Sequence, residues 1–521
     1  MSPREILVLG AGLAGLSTGI HLLEGGGGRL QVRVLDRGHV IGGKASSMPH
    51  RDPSSGRTFT VDHGFHVFFD YPNLGARLES LGATGGLTRK RHDVLMWNAG
   101  QVRRLRALPL PSPLHLALAG VESRLFGPLD TLRVSRVMLE IFLVDIPHLT
   151  PSELRALDAV SFDEWARGRG LTDELLRSSF FRFVRQSAFI YPRAMSALSA
   201  IAAIQLVAQS YDAVSFRYVE AGTSESLVEP LRRHFLRLGG RIDRFQRAQR
   251  LQVVDGAVDS VVVADNRHYI HAADASSGLQ SNYHSVETPM APPPAPAVVR
   301  ADYYVSALPP RDLVDILQPA SLGLPYFGGI AALETQRTIA LQLWFDRVVS
   351  PPEADTAIVG LPGPFSTMCD LRRVQRHAEG RGSVVEFVGE DGPYATEPDA
   401  KLLDDAMAVL HAVWPASVDA VIERRYFHRG NHDAFFLTTP GSDARRPSAA
   451  SPYSNLMLAG DFTQTEFRVI SMEGAWISGM RAANEVLRRE GLAEVPVCSM
   501  RGPGGLLGVA RWVRRRLGAW L

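Results

Sequence analysis

The sequence predicts an α/β fold in which a parallel-sheet domain is interleaved with a mixed α+β domain and a helical cap. Three observations predict this fold. A strand, a glycine-rich turn, a helix and a second strand follow one another within residues 6–36. A further strand–helix unit occupies residues 455–487. Between these units lies a long, largely apolar region with helical stretches, so we expect the two units to meet around an inserted domain.

The first unit has the pattern of a Rossmann-like dinucleotide-binding turn. The apolar run ILVLG ends at Gly10, and Gly12 and Gly15 follow in a G-x-G-x-x-G spacing before a helical pattern that the glycines at 25–28 should end. Gly10 permits the tight turn, Gly12 lets the backbone approach a pyrophosphate, and Gly15 lets helix and strand pack closely. Asp36 ends the second strand, where an acid accepts hydrogen bonds from a ribose hydroxyl.

The stretch after Asp36 favours FAD over NAD. It contains Gly-Gly-Lys at 42–44, in a chain whose other lysines are Lys90 and Lys401. The paired glycines let the main chain lie against a cofactor, and Lys44 can fold back over its pyrophosphate. Gly43 and Lys44 are therefore candidate cofactor contacts.

The second unit supplies a carboxylate and a helix N-terminus. The apolar strand LMLAG ends in Gly460-Asp461, and a long helix should begin at Met472 or Glu473. The carboxylate suits the ribityl or pyrophosphate part of an extended cofactor. The free N–H groups and positive dipole end of the helix suit the negative charge that a reduced flavin carries at N1/O2.

Together the two ends resemble the flavin amine-oxidase/desaturase superfamily, and within it the plant- and cyanobacterial-type phytoene and ζ-carotene desaturases. The segment DHGFHVFFDYPNL (62–74) is similar to a segment of that branch, and LAGDFTQTEF with SMEGAWISG looks like its closing motif. The resemblance implies an FAD-binding domain of the GR2 type. It also implies that Gly64 approaches the isoalloxazine, that His66 and Val67 touch it, and that the following aromatic residues begin a substrate wall.

Motifs and resemblance together give a set of candidate cofactor-binding residues. These are Gly10, Gly12, Ala14, Gly15, Asp36, Arg37, Gly43, Lys44, Gly64, His66, Val67, Tyr71, Ala248, Gly460, Asp461, Met472, Glu473 and Ala475. No metal site is expected, because His63 and His66 would point to opposite faces of an extended strand and no cluster of partner ligands accompanies them. No catalytic side chain is named, since the flavin itself carries the hard step.

The resemblance implies an FAD-dependent oxidoreductase that moves a hydride from an allylic C–H of a carotenoid or polyprenoid to flavin N5, with a quinone or O2 as electron acceptor. Amine oxidation is disfavoured. Amine oxidases of this fold use a lysine from the middle of the chain and an aromatic residue before the closing helix, whereas this chain has no lysine between Lys90 and Lys401 and has Ile470 and Ser471 at the second place.

Apolar stretches suitable for a polyene channel occur at 108–120, 137–144 and 189–210, with the small-residue run 194–203 as the best candidate. Two enzymatic alternatives share both end motifs, namely a squalene-type alcohol oxidoreductase and a carotenoid isomerase. An alternative of another class is a non-enzymatic prenyl-binding protein. The intact cofactor motifs argue against this last alternative.

The expected organisation alternates between two domains. Residues 1–75, 216–309 and 451–490 form the FAD-binding domain, 76–215 a helical cap, 310–450 the substrate domain and 500–521 an amphipathic basic tail. Within the second FAD-binding part, residues 272–298 are small, polar and proline-rich and should form a flexible surface loop.

Charge and hydropathy limit the partners and the location. A net charge of +2 gives no support for a nucleic-acid partner, and two cysteines exclude a disulfide framework. No apolar run is long enough to span a bilayer, and the first strand leaves no room for a signal peptide. On a helical tail Leu506, Val509 and Val513 share one face with arginines opposite. We therefore expect a cytoplasmic protein that is peripheral at the inner face of the cell membrane.

Overall fold

The computed structural model describes the chain except residues 1, 52–55, 57, 63, 99, 189, 192, 267–268, 272–286, 290–294, 376–380, 391, 395, 430–434, 500–501, 503–504 and 518–521. His63 and most of the expected loop 272–298 therefore lie outside the described residues. The strands are β1 Arg4–Leu9, β2 Leu30–Leu35, β3 Ser47–Arg51, β4 Thr58–Asp62, β5 Val67–Phe69, β6 Asp93–Asn98, β7 Gln101–Arg106, β8 Phe216–Tyr218, β9 Arg241–Asp243, β10 Gln246–Val254, β11 Ala257–Asp265, β12 Tyr269–His271, β13 Glu287–Pro289, β14 Ala297–Val299, β15 Tyr303–Ser306, β16 Thr335–Gln336, β17 Thr338–Phe345, β18 Ile358–Val359, β19 Phe365–Asp370, β20 Val384–Glu390, β21 Ile422–His428, β22 Phe435–Phe436 and β23 Leu456–Leu458.

The helices are distributed along the whole chain. They are α1 Leu13–Gly26, α2 Pro72–Ser80, α3 Leu114–Ser123, α4 Pro128–Leu143, α5 Pro151–Asp158, α6 Phe162–Arg167, α7 Asp173–Leu176, α8 Ser179–Ala188, α9 Ala197–Ala208, α10 Glu229–Arg237, α11 Pro310–Ile316, α12 Pro319–Leu322, α13 Pro325–Ala331, α14 Leu371–Val374, α15 Asp399–Val413, α16 Met472–Arg489 and α17 Gly505–Leu517.

The first sheet is parallel, as predicted. Its strand order is β23-β15-β1-β2-β9, so strands from both ends of the chain and from residues 241–306 lie side by side. The central strand β1 is buried on both faces because Ile6 and Val8 pack toward α1 and α16, whereas Leu7 and Leu9 pack toward β10 and β11. Helix α1 ends at Gly26, within the glycine run 25–28 that predicted its end, and Gly27 lies in the left-handed region at φ 54°.

The second sheet has the order β21-β17-β20-β19-β18-β6-β7. One face packs on α15, and the other faces β5 and β8. Its last two strands, β6 and β7, come from residues 93–106, within the segment 76–215 that we expected to be largely helical. The run DVLMWN gave no clear period, and its pairing partner Ile358–Val359 lies far along the chain.

The remainder of the segment 76–215, here called the cap, contains the helices α3 to α9. Its buried side chains, including those of α4 and α9, belong to the same apolar core as α1 and α16. Within the part of the chain described, every helix is too short or too polar to cross a bilayer.

Candidate active site

A cavity of about 470 Å³ opens at the carboxyl ends of β1 and β2 and continues between the second sheet and the cap. In open α/β sheets, ligands bind at this edge, outside the carboxyl ends of the parallel strands. Most of the candidate cofactor-binding residues line it, namely Gly10, Gly12, Ala14, Asp36, Arg37, Gly43, Lys44, Gly64, His66, Val67, Tyr71, Ala248, Gly460, Asp461, Met472 and Ala475. Gly15 and Glu473 do not line it.

The glycine-rich turn forms a cradle at one end of the cavity. A Cβ built on Gly12 would meet only Gly42 O and Gly43 Cα, each at 3.9 Å, so the space beside this backbone is open. A Cβ on Gly15 would lie 1.9 Å from Gly10 O, which shows that Gly15 serves close packing of helix on strand. Asp36 accepts the backbone N–H groups of Ala11 and Gly38, both at 2.8 Å, and burial raises the pKa of its carboxyl.

The two end motifs meet through an ion pair on the cavity wall. Lys44 Nζ lies 3.1 Å from Asp461 Oδ2 and 4.6 Å from the centre of the Phe435 ring. The loop that carries Lys44 depends on glycine, since Gly42 and Gly43 have φ values of 115° and 59°. The sequence motifs predicted both residues separately, and the structure shows that they bind each other.

His66 is held by both of its ring nitrogens. Nε2 lies 3.2 Å from Lys44 O, and Nδ1 lies 3.1 Å from Thr223 Oγ1. Burial lowers the pKa of His66, which favours the neutral ring; in that form Nε2–H donates to the Lys44 carbonyl, and Nδ1 is the acceptor for the Thr223 hydroxyl. Gly64, at φ 130°, lets its own backbone pass Val388 closely, since a Cβ there would lie 3.1 Å from a Val388 methyl group. The ring therefore has one fixed orientation in the cavity wall.

Two buried carboxyl groups, those of Asp62 and Glu386, lie near His66, and the sequence analysis identified neither as a site residue. Asp62 accepts the Ser47 hydroxyl at 2.5 Å and the Thr223 N–H at 3.1 Å. Glu386, in the centre of β20, is 1% exposed. Burial raises the pKa of Glu386 well above its usual range, and the nearby Asp62 carboxylate raises it further. The available signal was an acid inside the apolar run VVEFVGE.

We expect Glu386→Gln to stabilise the protein at alkaline pH. The unfolded chain releases this proton near pH 4.5 but the folded protein only at higher pH, so stability falls as pH rises above 4.5, by at most about 1.4 kcal/mol per pH unit. The amide removes this loss. In thermal unfolding experiments, the Tm of the variant should be higher than the Tm of the wild type at pH 8, and the two Tm values should be equal at pH 4.

The matched control is Glu423→Gln on the exposed edge of the same sheet, which should change Tm little at either pH. A Tm shift for Glu386→Gln of the same size at both pH values would contradict a protonated, buried Glu386.

Helix α16 begins at Met472, as predicted, with the Ser471 hydroxyl accepting the Gly474 N–H at 2.9 Å. Met472 and Ala475 line the cavity, but the Glu473 side chain turns to α2. There it accepts the backbone N–H groups of Asn73 at 2.8 Å and Leu74 at 2.9 Å. Its carboxylate therefore caps α2 and holds the start of this helix against α16.

The far end of the cavity is apolar. Its wall consists of aliphatic and aromatic side chains, among them Met96, Leu105, Leu116, Met138, Phe180, Val184, Ile204, Val207, Ala208, Val214, Phe216 and Val359. In the run 194–203, our best candidate for substrate contact, Ala194 is exposed and residues 195–203 are buried in the core instead, and the next turn of α9 faces the cavity. Lys90 and Lys401 lie at the surface, paired with Asp70 and Asp405.

The residues present fit FAD. The open cradle at Gly12, the free N–H groups of α1 and the acceptor Asp36 suit a dinucleotide, and Lys44 with Asp461 suits its central part. The neutral ring of His66 and the N-terminus of α16 suit the flavin end. When bound, the flavin supplies the redox chemistry of the site.

Comparisons with known proteins identify the family of the chain. Residues 13–487 match the family of flavin-containing amine oxidoreductases. The 15-cis-phytoene desaturase of Solanum lycopersicum is 24% identical over 501 residues, covering 93% of this chain and 78% of that protein. The zeta-carotene desaturase of Arabidopsis thaliana is 25% identical over 506 residues, covering 92% and 85%.

The fold is shared with solved structures. An oxidoreductase from Methanosarcina mazei superimposes with a TM-score of 0.63 at 14% identity, covering 93% of this chain and 100% of that one. The chain thus belongs to the flavin-containing amine oxidoreductase family, and it is an FAD-dependent oxidoreductase.

Proposed function

We propose that this oxidoreductase desaturates an apolar carotenoid or related polyprenoid. The observation that carries the proposal is the continuity of the cavity, which runs from the residues that fit FAD directly into a wall of aliphatic and aromatic side chains. The phytoene and zeta-carotene desaturases among the relatives support it.

The proposed reaction removes a hydride from an allylic carbon of the substrate and a proton from the neighbouring carbon, which leaves a new double bond. The role of this chain is to bind the substrate, orient it and exclude water. A hydrocarbon offers no hydrogen-bonding group, so its affinity comes from buried apolar surface, at about 25 cal/mol per Å². A quinone, or O2, is the electron acceptor in this proposal.

Pigment analysis after co-expression with a phytoene-producing pathway tests the proposal. We expect products that absorb at longer wavelength than phytoene, because each new double bond extends the conjugated system. An unchanged chromophore length with altered isomers would favour the isomerase, and turnover of a squalene-type alcohol would favour the alcohol oxidoreductase. The non-enzymatic alternative is set aside, because the chain belongs to a family of flavin-containing oxidoreductases.

We also propose that the substrate reaches the cavity from a membrane surface, at the cytoplasmic face. Helix α4 packs against both α3 and α17, and all three expose large apolar side chains. Val121 of α3 is 61% exposed, Leu132 of α4 67% and Leu506 of α17 86%. Since α3 and α4 also supply Leu116 and Met138 to the cavity, this face adjoins the apolar channel.

The tail meets the cap through its arginines. Arg511 donates to Phe142 O at 2.7 Å, and Arg514 pairs with Glu140 at 3.0 Å. Leu507 of α17 is buried in the core, whereas Leu506, Val509 and Val513 are directed away from the protein, with Val509 59% exposed. This arrangement suits insertion of these three side chains into a bilayer interface.

We expect the triple variant Leu506→Gln, Val509→Gln and Trp512→Gln to lose most co-sedimentation with liposomes, because it removes the apolar side of α17 and leaves Arg511 and Arg514 in place. The control changes Val254, Val418 and Val421, which are exposed to a similar degree on other elements, to Gln. Equal loss in both variants, or loss in neither, would contradict a role for α17 in membrane binding.

A further inference from the structure

Arg446 lies buried beneath the loop that carries Asp461 into the cavity. Its side chain is 1% exposed. The guanidinium donates to three successive backbone carbonyl oxygens, those of Asp461 at 3.1 Å, Phe462 at 3.3 Å and Thr463 at 2.6 Å. The side chain is not part of the cavity wall. Arg446 therefore acts on the loop and not directly on a ligand.

Asp443 connects Arg446 to the cap. Its carboxylate lies 3.5 Å from Arg446 Nη1 and also pairs with Arg468. The Asp443 N–H donates to Asp158 Oδ2 at 3.0 Å, and Asp158 Oδ1 accepts the Ser196 hydroxyl at 2.6 Å. Arg446, Asp443, Asp158 and Ser196 thus form one continuous polar chain, here called the Arg446–Ser196 network.

Each end of the Arg446–Ser196 network contacts or adjoins an element that lines the cavity, although neither end residue lines it. At one end, Asp461 lines it and binds Lys44. At the other, Ser196 directly precedes α9, whose Ile204, Val207 and Ala208 line the apolar part. A reacting carbon must come within about 3–3.5 Å of its acceptor atom, and an error of about 1 Å can lower a rate about 100-fold. The position of α9 relative to the Asp461 loop therefore matters for turnover.

We propose that Arg446 is a positioning residue for the flavin. We further propose that Asp443, Asp158 and Ser196 fix the position of α9, which lines the apolar channel, relative to the Asp461 loop. The network contains one buried cation, Arg446, and two carboxylates, and Arg468 pairs with Asp443 beside it. Loss of one member therefore leaves a partner unpaired in a poorly solvated place. The role of α9 as a substrate wall rests on the proposed function, whereas the hold of Arg446 on the loop does not.

The first test measures FAD alone, without substrate. Apoprotein prepared from wild type, Arg446→Lys and Arg446→Met is titrated with FAD, and the midpoint potential of the bound flavin is measured. In Arg446→Met we expect the dissociation constant for FAD to rise at least 10-fold and the midpoint potential of the flavin to shift. In Arg446→Lys we expect FAD affinity and potential to return part of the way to the wild-type values. The control is Arg511→Met, which removes another buried arginine and its carbonyl hydrogen bond far from the loop. Wild-type FAD affinity and potential in both Arg446 variants would overturn the proposal.

The second test measures coupling along the network. Ser196→Ala, Arg446→Lys and the double variant are compared for FAD affinity, and for kcat and KM with whichever substrate the pigment assay identifies. We expect the double variant to bind FAD at least 3-fold more tightly than the product of the single effects predicts, because the first change already interrupts the network. In Ser196→Ala we expect kcat to fall while KM changes less than 2-fold.

Additive effects on FAD affinity would overturn the extension to α9, even if Arg446 alone proved important. Should Arg446→Met not fold, Arg446→Lys and Ser196→Ala still decide the question, since neither removes a charge. Because FAD affinity is measured without substrate, a wrong assignment of the substrate would leave these results intact, and a failed network would leave the pigment result intact.

Discussion

Gly12→Val should fold and be isolated without flavin. The backbone of Gly12 is extended, at φ −73°, so a β-branched residue is allowed there, and a Cβ meets protein atoms only at 3.9 Å. The added side chain would instead fill the cradle in the cavity, where a pyrophosphate must contact the backbone closely. We expect no absorption in the visible flavin region after purification, a native far-ultraviolet circular dichroism spectrum and no turnover.

Two other glycines separate loss of cofactor from loss of fold. Gly75 lies in α2 with no atom within 4 Å of a Cβ, so Gly75→Val should retain the full flavin content. Gly15→Ala should not fold normally, because its Cβ would lie 1.9 Å from Gly10 O. A flavin content in Gly12→Val equal to that of wild type would show that the cofactor does not pass this turn.

Much of the cofactor half was predictable because its signals are local. The turn at Gly10, the strand that ends at Asp36 and the start of α16 depend on backbone conformation and on the period of apolar residues within a few positions. The structure confirms the parallel sheet and the helix start. Local signals could not show that Lys44 binds Asp461, because these residues are 417 positions apart and meet only when both ends join one sheet.

The parts that were missed depend on distant partners. The hairpin β6–β7 is stabilised by β18, more than 250 positions away in the pairing of Leu95 with Ile358. In the sequence Arg446 looks like an ordinary surface charge, and Glu386 is marked only by its place in the apolar run VVEFVGE; the folded structure shows that both side chains are buried. On α9 the small residues 197–203 and the lining residues Ile204, Val207 and Ala208 are both largely apolar, so hydropathy could not decide which turn faces the cavity.

Ala208→Phe should abolish most turnover of a long apolar substrate and leave the flavin in place. Ala208 lies on the last turn of α9, in the apolar part of the cavity, so a phenyl ring there takes up space that the proposed substrate needs. A substrate whose reacting carbon is displaced by about 1 Å reacts about 100-fold more slowly. Steady-state rates per bound flavin measure the effect, and flavin content and Tm show whether the protein is intact.

The same substitution at an exposed site provides the control. Ala76→Phe on α2 should change neither rate nor flavin content, because that position faces solvent. Ala208→Gly should keep turnover within a few-fold of wild type, because it leaves the channel open at the end of the helix, where glycine costs least. If Ala208→Phe retained full turnover on a C40 carotenoid while Gly12→Val lost its flavin, the flavin site would stand, but the substrate would have to approach it from a side of the cavity that α9 does not form.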